Sequence, residues 1–299
     1  MTLLGVSTSA LADPDALDRL RHFEPDVVEF YNYPSGALPA ITDFCRRTGV
    51  RPALHTPVPY DGPQPLRRFA PTGPEPGDAE EALRLVTETV RCAARIGAVH
   101  VVVHFPSPYP PFRPEGFAAA RDGFLDSLAG LARTYGVPVL IENLSPNPLL
   151  RTPEQYRAAL DGRPELGFCL DLGHAHLLGP PHGPVRFARH LGRSIRSMHV
   201  YNTTAERYPV HGHEPALPDQ RPGDGYLDLP AVLPELLAQA SPAVLVLEHG
   251  PRWDEETAAR TGAWLRELLG DHDARARVGR GTASAHDQDL DRRGRQPWQ

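Results

Sequence analysis

Residues 99–142 read VHVVVHFPSPYPPFRPEGFAAARDGFLDSLAGLARTYGVPVLIE and show the repeating pattern of the whole chain. Two short aliphatic runs, Val99–His104 and Pro138–Glu142, have the length and composition of buried strands. Between them, Glu115–Tyr135 has the spacing of an amphipathic helix, and Gly136 follows where such a helix should end. A strand, a helix and a second strand in this order predict a βαβ unit with parallel strands.

The same alternation of strand and helix recurs along the chain. The other predicted strands are Leu3–Ser7, Val27–Tyr31, Arg51–His55, Gly167–Asp171, Ser194–Tyr201 and Ala243–Glu248. The other amphipathic stretches are Pro14–His22, Ala37–Thr48, Asp78–Ile96, Thr152–Asp161, Val185–Gly192, Leu229–Ala238 and Glu255–Leu269. Eight β/α repeats predict an α/β fold with one domain, a closed (β/α)8 TIM barrel over residues 1–270. An open doubly wound sheet is the alternative, but no predicted strand is followed by a G-x-G-x-x-G motif.

The composition excludes several classes of mechanism and partner. All 31 basic residues are arginine, so Schiff-base aldolases, pyridoxal-phosphate enzymes and the Walker-type phosphate loop, which need a lysine, are excluded. A formal charge of -6 without a basic run argues against a nucleic-acid partner. Cys45, Cys92 and Cys169 have neither metal-site spacing nor an even number for disulfides, which fits a cytoplasmic location. No apolar run approaches the roughly 20 residues of a membrane span.

Some segments lack the periodicity of helices and strands. Residues 271–299 mix Asp, Arg, Gly and Gln, and this composition predicts a disordered tail. Three long connections rich in proline, Thr56–Gly77, Phe105–Pro114 and Asn202–Tyr226, follow predicted strands. In a TIM barrel such loops lie at the C-terminal face, where the active site of this fold is found.

Side chains that can bind metal ions recur at the ends of the predicted strands. Barrel geometry brings all these strand ends to one axis, so the side chains would share one site. Several carboxylates buried together are costly unless a cation or protons compensate their charge. Mixed imidazole and carboxylate ligands favour one or two divalent Mn, Zn, Co or Fe ions over Ca or Mg. The candidate ligands are His55, His104, Glu142, Asp171, His199 and Glu248, with His174 three residues after Asp171.

The order of these motifs resembles the xylose isomerase-like TIM barrels, which include ketose 3-epimerases, sugar-phosphate isomerases and endonuclease IV (AP endonuclease family 2). The resemblance runs from about Leu3 to Leu269 through VEFY, LHTPVPYD, VVVHFPSP, IENLSP, CLDLGHAH, MHVYN, PGDG and LVLEH. His174 would contact the substrate or a second metal ion. His55 and His104 match additional histidines of the multinuclear sites of endonuclease IV. The resemblance implies an epimerase-type metal site made of Glu142, Asp171, His199 and Glu248.

The same resemblance leaves a third metal ion in doubt, because the Asp-x-His of endonuclease IV is absent. Residues 211–219 read HGHEPALPD at this place, ahead of Gly223-Asp224-Gly225, and His213 or Asp219 could replace that motif only in part. Tyr60 and Arg207 lie in the predicted rim loops. The first interpretation of Arg207 is an ordinary loop arginine, and the alternative is a contact to an anionic group of the substrate. The candidates for substrate contacts are therefore His174, Tyr60, Arg207, His213 and Asp219.

We expect a metal-dependent isomerase or epimerase that acts on a sugar or sugar phosphate. A divalent ion that holds two adjacent substrate oxygens acidifies the C–H beside a carbonyl and stabilises the enediolate. Glu142 and Glu248 would be the catalytic residues, one removing the proton and the other returning it. The absence of lysine disfavours the hydride-shift xylose isomerases, which resemble this chain in fold but use a lysine beside the metal.

Other functions stay open at this point. His55 and His104 support phosphodiester hydrolysis by a zinc cluster, as in endonuclease IV, whereas the acidic charge and the lack of lysine oppose duplex binding. A multinuclear iron oxidase that acts on peptide cysteines is another possibility, since some relatives with the same ligand set perform that reaction. The last possibility is a barrel that binds a ligand without catalysing a reaction. The expected partner is a small carbohydrate, and the sequence leaves a homo-oligomer open.

Overall fold

A closed barrel of parallel strands forms the centre of the structure, a computed structural model that describes residues 2–63, 69–144, 147–179, 183–240 and 242–270. The predicted (β/α)8 fold is confirmed, with β1 pairing with β8 to close the barrel. The predicted tail, 271–299, lies outside the described residues. The strands are β1 (Leu3–Ser7), β2 (Val27–Tyr31), β3 (Arg51–His55), β4 (Val101–His104), β5 (Val139–Glu142), β6 (Leu166–Asp171), β7 (Ile195–Val200) and β8 (Val244–Leu247).

Helices surround the barrel and connect its strands. Over the predicted amphipathic stretch Pro14–His22 the chain forms a 3-10 helix, Leu17–Phe23, and not an α-helix. In the described ranges, none of the helices has both the length and the apolar character that a bilayer crossing requires. The α-helices are α1 (Leu38–Thr48), α2 (Asp78–Ile96), α3 (Phe117–Tyr135), α4 (Pro153–Leu160), α5 (Leu172–Leu177), α6 (Pro184–Leu191), α7 (Tyr208–His211), α8 (Leu229–Ala240) and α9 (residues 255–270).

Local signals in the sequence explain where several of these helices begin and end. The hydroxyl of Thr152 accepts a hydrogen bond from the backbone N–H of Gln155, and the Gln155 side chain accepts one from Thr152 N–H. This capping box, followed by Pro153, satisfies N–H groups that would otherwise lack partners at the start of α4. Gly97 and Gly136 end α2 and α3 in the left-handed conformation, with φ of 69° and 65°.

The two faces of each strand have different surroundings, and this difference positions the site. One face packs on the helices in the main hydrophobic core. The other face points into the barrel, where small clusters form, one around Val27, Ala53 and Val246 and another around Val102, Leu140 and Cys169. Because side chains alternate along a strand, residues two positions farther on face the interior as well. Those residues are Glu29, His55, Glu248, His104, Glu142 and Asp171.

Phe168 offers a test of the packing between the barrel and its helices. Its ring is fully buried, with the rings of Tyr156 and Phe187 at centroid distances of 5.1 and 6.1 Å. We expect Phe168→Ala to lower the free energy of unfolding by about 3–5 kcal/mol, because it leaves a cavity that the helices cannot fill. Denaturant unfolding measures this change. Phe168→Leu, which keeps most of the volume, should cost clearly less, and equal stability of all three proteins would contradict the packing described here.

Candidate metal centre

The carboxyl ends of β3 to β8 bring the six predicted strand-end ligands together. The strand register places His104 beside Glu142 and Asp171 beside His199. Glu142, Asp171 and His199 have no exposed surface, and only His104 is clearly accessible, with 30% of its side chain exposed. The convergence predicted for the end of a barrel is therefore present, and the charged groups lie away from water.

Four of these residues form one compact ligand set. Each of Glu142, Asp171, His199 and Glu248 offers a ligand atom within 4.8 Å of those of the others. Nδ1 of His199 lies 3.4 Å from Oε1 of Glu142 and 3.2 Å from Oε2 of Glu248. These three atoms and Oδ2 of Asp171 are buried and have no hydrogen-bond partner among the described residues. A divalent cation would satisfy all four, since buried polar atoms without partners are costly and this mixed donor set suits Zn, Mn, Co or Fe.

The charges of the site also fit a cation. Burial raises the pKa of Asp171 well above its usual range, and the nearby carboxylates of Glu142 and Glu248 add to the effect. Burial also lowers the pKa of His104 and of His174 to about 4, so both imidazoles are neutral at physiological pH. Neutral imidazole is the form that binds metal ions. A divalent ion would relieve the repulsion between the carboxylates and leave these imidazoles free to act as ligands.

A second ligand set lies next to the first and shares Glu142 with it. Nε2 of His55 and Nε2 of His104 lie 3.1 and 3.3 Å from Oε2 of Glu142, whereas Oε1 of the same carboxylate faces His199. The rings of His55 and His104 meet edge to face with centroids 4.5 Å apart. Each oxygen of Glu142 thus faces a different ligand set, so this carboxylate could contribute to both sets, and His55 and His104 reach the same centre as the first set.

A third group contains the predicted residues His174 and His213. Together with Asp171, they offer ligand atoms within 4.8 Å of one another. Asp171 caps α5 by accepting a hydrogen bond from His174 N–H at 2.6 Å, which holds the histidine at the cavity wall. The ring of Tyr201 stacks on His213 with a centroid distance of 3.7 Å, and a Cβ at Gly173 would overlap the Tyr201 ring. Glycine is thus required at position 173 for this arrangement.

Comparison with known proteins agrees with the barrel fold. Residues 17–268 match the family of xylose isomerase-like TIM barrels. The chain belongs to this family.

Solved structures with the same fold share little sequence with this xylose isomerase-like barrel. A D-tagatose 3-epimerase-like protein has 18% identity over 92% of this chain and 100% of its own, with a TM-score of 0.71. An L-ribulose 3-epimerase has 15% identity over 93% and 98%, with a TM-score of 0.71. A protein from Thermus thermophilus, whose structure followed soaking with ZnCl2, has 24% identity over 90% and 98%, with a TM-score of 0.60. No protein of curated function matches the sequence.

The site of this xylose isomerase-like barrel also contains a glutamate that the strand-end pattern missed. Glu29 is fully buried in the middle of β2, with Oε1 3.0 Å from Nε2 of His199 and Oε2 3.1 Å from Nε2 of His100. Burial opposes ionisation, but His199 and His100 outweigh it and hold the pKa of Glu29 at about 2. An ionised carboxylate behind a ligand histidine orients the ring and raises its basicity. The sequence does contain a signal that could have identified Glu29, because it is a charged residue on the interior face of an otherwise apolar strand.

The predicted substrate-contact residues lie in different places. His174 and His213 line a cavity of about 340 Å³ above the ligands, together with Tyr208, whose hydroxyl is 3.1 Å from His174 Nε2.

The other three predicted contacts lie outside this cavity. The guanidinium of Arg207 binds Glu214 through Nε and Nη2 at 2.9 and 2.6 Å, so its charge is already neutralised. Asp219 is exposed in a turn. Tyr60 lines a neighbouring cavity and donates its hydroxyl to Pro63 O.

The contact between Glu29 and His199 predicts a change in metal affinity. We expect Glu29→Gln to weaken binding of Zn or Mn about 10–100-fold, because the amide preserves the shape but not the charge behind His199. Competition with a chromophoric chelator measures the dissociation constant directly. Glu80→Gln, on the exposed part of α2, is the matched control and should bind the metal like the unchanged protein. Equal affinity of the Glu29 and Glu80 variants would show that Glu29 does not act through His199.

Proposed function

We propose that this chain is a divalent-metal-dependent sugar isomerase or epimerase that transfers a proton through an enediolate. The observation that carries the proposal is the pair of buried glutamates, Glu142 at the end of β5 and Glu248 just after β8, which both face Nδ1 of His199. Similar solved structures include a D-tagatose 3-epimerase-like protein and an L-ribulose 3-epimerase, which supports the same class of reaction.

In the proposed reaction the two glutamates transfer the proton. A divalent ion held by the four-ligand set would polarise two adjacent substrate oxygens and acidify the neighbouring C–H. Glu142 ends β5 and Glu248 follows β8, so the two carboxylates come from different sides of the barrel. Glu248 lines the cavity, whereas Glu142 is fully buried beside His55 and His104. One carboxylate removes the proton from carbon and the other returns a proton, which changes the configuration or the position of the carbonyl. His174 and Tyr208 stand at the cavity wall, where they can hydrogen-bond to sugar hydroxyls.

The reaction predicts exchange of a carbon-bound hydrogen with solvent. In D2O the metal-loaded protein should introduce deuterium beside the carbonyl of a ketose such as D-fructose or D-tagatose, which NMR detects. Glu142→Gln and Glu248→Gln should each slow this exchange at least about 10²-fold, because the amide cannot accept the proton. Glu235→Gln, on α8 and ion-paired with Arg189, should exchange at the normal rate. Rapid exchange by either site variant would exclude the roles assigned to these glutamates.

A phosphodiester hydrolase is the second candidate, because His55, His104 and Glu142 provide another ligand set beside the first. Two neighbouring ions can activate a water molecule and stabilise both the attacking and the leaving oxygen. The formal charge of -6 opposes binding of a nucleic-acid duplex, which depends on neutralising phosphates. The isomerase therefore remains the first proposal. A multinuclear iron oxidase would use the same ligand set as the hydrolase.

The number of bound ions tests the second ligand set, and the activities separate the candidate functions. We expect at least two ions per chain in the unchanged protein, and the double variant His55→Ala/His104→Ala should lose one of them. Elemental analysis of the dialysed proteins measures this number. Cleavage of an abasic oligonucleotide without any ketose exchange would favour the hydrolase, and oxygen consumption with bound iron would favour the oxidase. Ketose exchange without either activity supports the isomerase, and an unchanged metal content in the double variant would contradict the second ligand set.

A further inference from the structure

A second cavity opens directly beside the one above the metal ligands. It has a volume of about 620 Å³, and Ser9 and Tyr31 line both cavities. We call it the side cleft and define it by Asp15, Tyr31, Tyr33, Tyr60 and Asp61. Because the two cavities share Ser9 and Tyr31 as wall residues, they lie side by side.

Hydrogen bonds between three chain segments hold the side cleft open. Oγ1 of Thr8, after β1, accepts a hydrogen bond from Tyr31 N–H at the end of β2. The backbone N–H of Tyr60, after β3, donates to Tyr33 O at 2.7 Å. Oδ1 of Asp61 accepts hydrogen bonds from the backbone N–H and the hydroxyl of Ser35 at 2.8 and 3.0 Å. The walls are thus connected to one another, as expected of a preformed ligand site.

Tyr31 stands at the boundary between the two cavities. Its ring meets the ring of His55 edge to face, with centroids 5.2 Å apart, and 36% of the residue is exposed. His55 belongs to the second ligand set, so Tyr31 lies within reach of any sugar held by the ligands. A second ring attached to that sugar would pass Tyr31 and enter the side cleft.

The chemistry of the side cleft selects an uncharged, hydroxyl-rich group. Tyrosine rings offer apolar surface together with a polar hydroxyl, and the carboxylates of Asp15 and Asp61 accept hydrogen bonds from sugar hydroxyls. Neither arginine nor histidine is present among the described residues that line it, and the chain has no lysine. Among the described residues that line the cleft, a phosphate would meet two carboxylates and no cation.

We propose that the side cleft binds a second, uncharged sugar ring, so that the substrate is a glycosylated ketose and not a sugar phosphate. This inference rests on the proposed isomerase function and makes its substrate class specific. The cavity above the metal ligands holds the reacting ketose, and the side cleft holds the attached ring beyond Tyr31.

The test uses the metal-loaded full chain and two disaccharides, isomaltulose and trehalulose, which carry glucose on opposite ends of fructose. Saturation-transfer NMR should show contact with the glucosyl protons of at least one of them. For that disaccharide, the kcat/KM of deuterium exchange should exceed the value for fructose about tenfold, as expected for one aromatic contact. Fructose 6-phosphate and fructose 1-phosphate should show no such gain.

Ala37 and Ala40 provide a matched pair of variants. Ala37 lines the side cleft, so Ala37→Trp should fill it, abolish saturation of the glucosyl protons and reduce the disaccharide-to-fructose ratio of kcat/KM to about one. Ala40 is exposed on α1, and Ala40→Trp should leave the saturation and the ratio unchanged. Thermal unfolding of both variants shows whether each is folded.

The outcomes separate the two proposals. Any of three results would overturn the side-cleft proposal, even where fructose itself exchanges deuterium. These are no saturation of the glucosyl protons in the unchanged protein, no effect of Ala37→Trp on the disaccharide-to-fructose ratio of kcat/KM, or a gain in kcat/KM for the sugar phosphates. Glucosyl saturation that Ala37→Trp removes, in a protein that exchanges no ketose hydrogen, would support the side cleft as a carbohydrate site and refute only the isomerase.

Discussion

The burial of four carboxylates around one histidine is the constraint on which the site depends. Glu29, Glu142, Asp171 and Glu248 all lie near His199, and each is largely or fully shielded from water. An uncompensated buried charge costs several kcal/mol, so such a cluster persists only where opposite charge and hydrogen bonds are supplied. His199 and His100 compensate Glu29 from within the protein. Each of the four carboxylates keeps one buried oxygen without a hydrogen-bond partner among the described residues, and Glu142, Asp171 and Glu248 together with His199 offer ligand atoms within 4.8 Å of one another.

The barrel explains how one chain can tolerate this cluster. Small apolar side chains such as Val27, Ala53 and Val246 fill the interior below the site, and the helices cover the outer faces of the strands. Stability therefore comes from surfaces that are separate from the ligands. The strand ends are left to carry polar groups, and the loops that follow them form the two cavities. This separation is the general reason that TIM barrels support many reactions.

Much of this arrangement could be predicted from the sequence because strand ends are visible as short aliphatic runs that stop at His, Glu or Asp. That signal identified His55, His104, Glu142, Asp171, His199 and Glu248. Glu29 was missed because it lies in the middle of β2, and its partners His100 and His199 are reached only across the barrel.

Helices α5 and α7 have six and four residues, too few for a helical period to be seen in the sequence. The pairing of Arg207 with Glu214 depends on the turn that α7 creates, so the sequence alone could not show that the charge of this arginine is already neutralised.

Anomalous X-ray diffraction from crystals of the full chain soaked in manganese or zinc tests the central claim most directly. A metal site made by the buried strand-end residues predicts an anomalous peak among the ligand atoms of Glu142, Asp171, His199 and Glu248, and a second peak between His55, His104 and Glu142. Metal bound only at surface histidines, with no peak among these ligands at saturating metal, would contradict the account. The four carboxylates would then have to be compensated by protons and histidines alone.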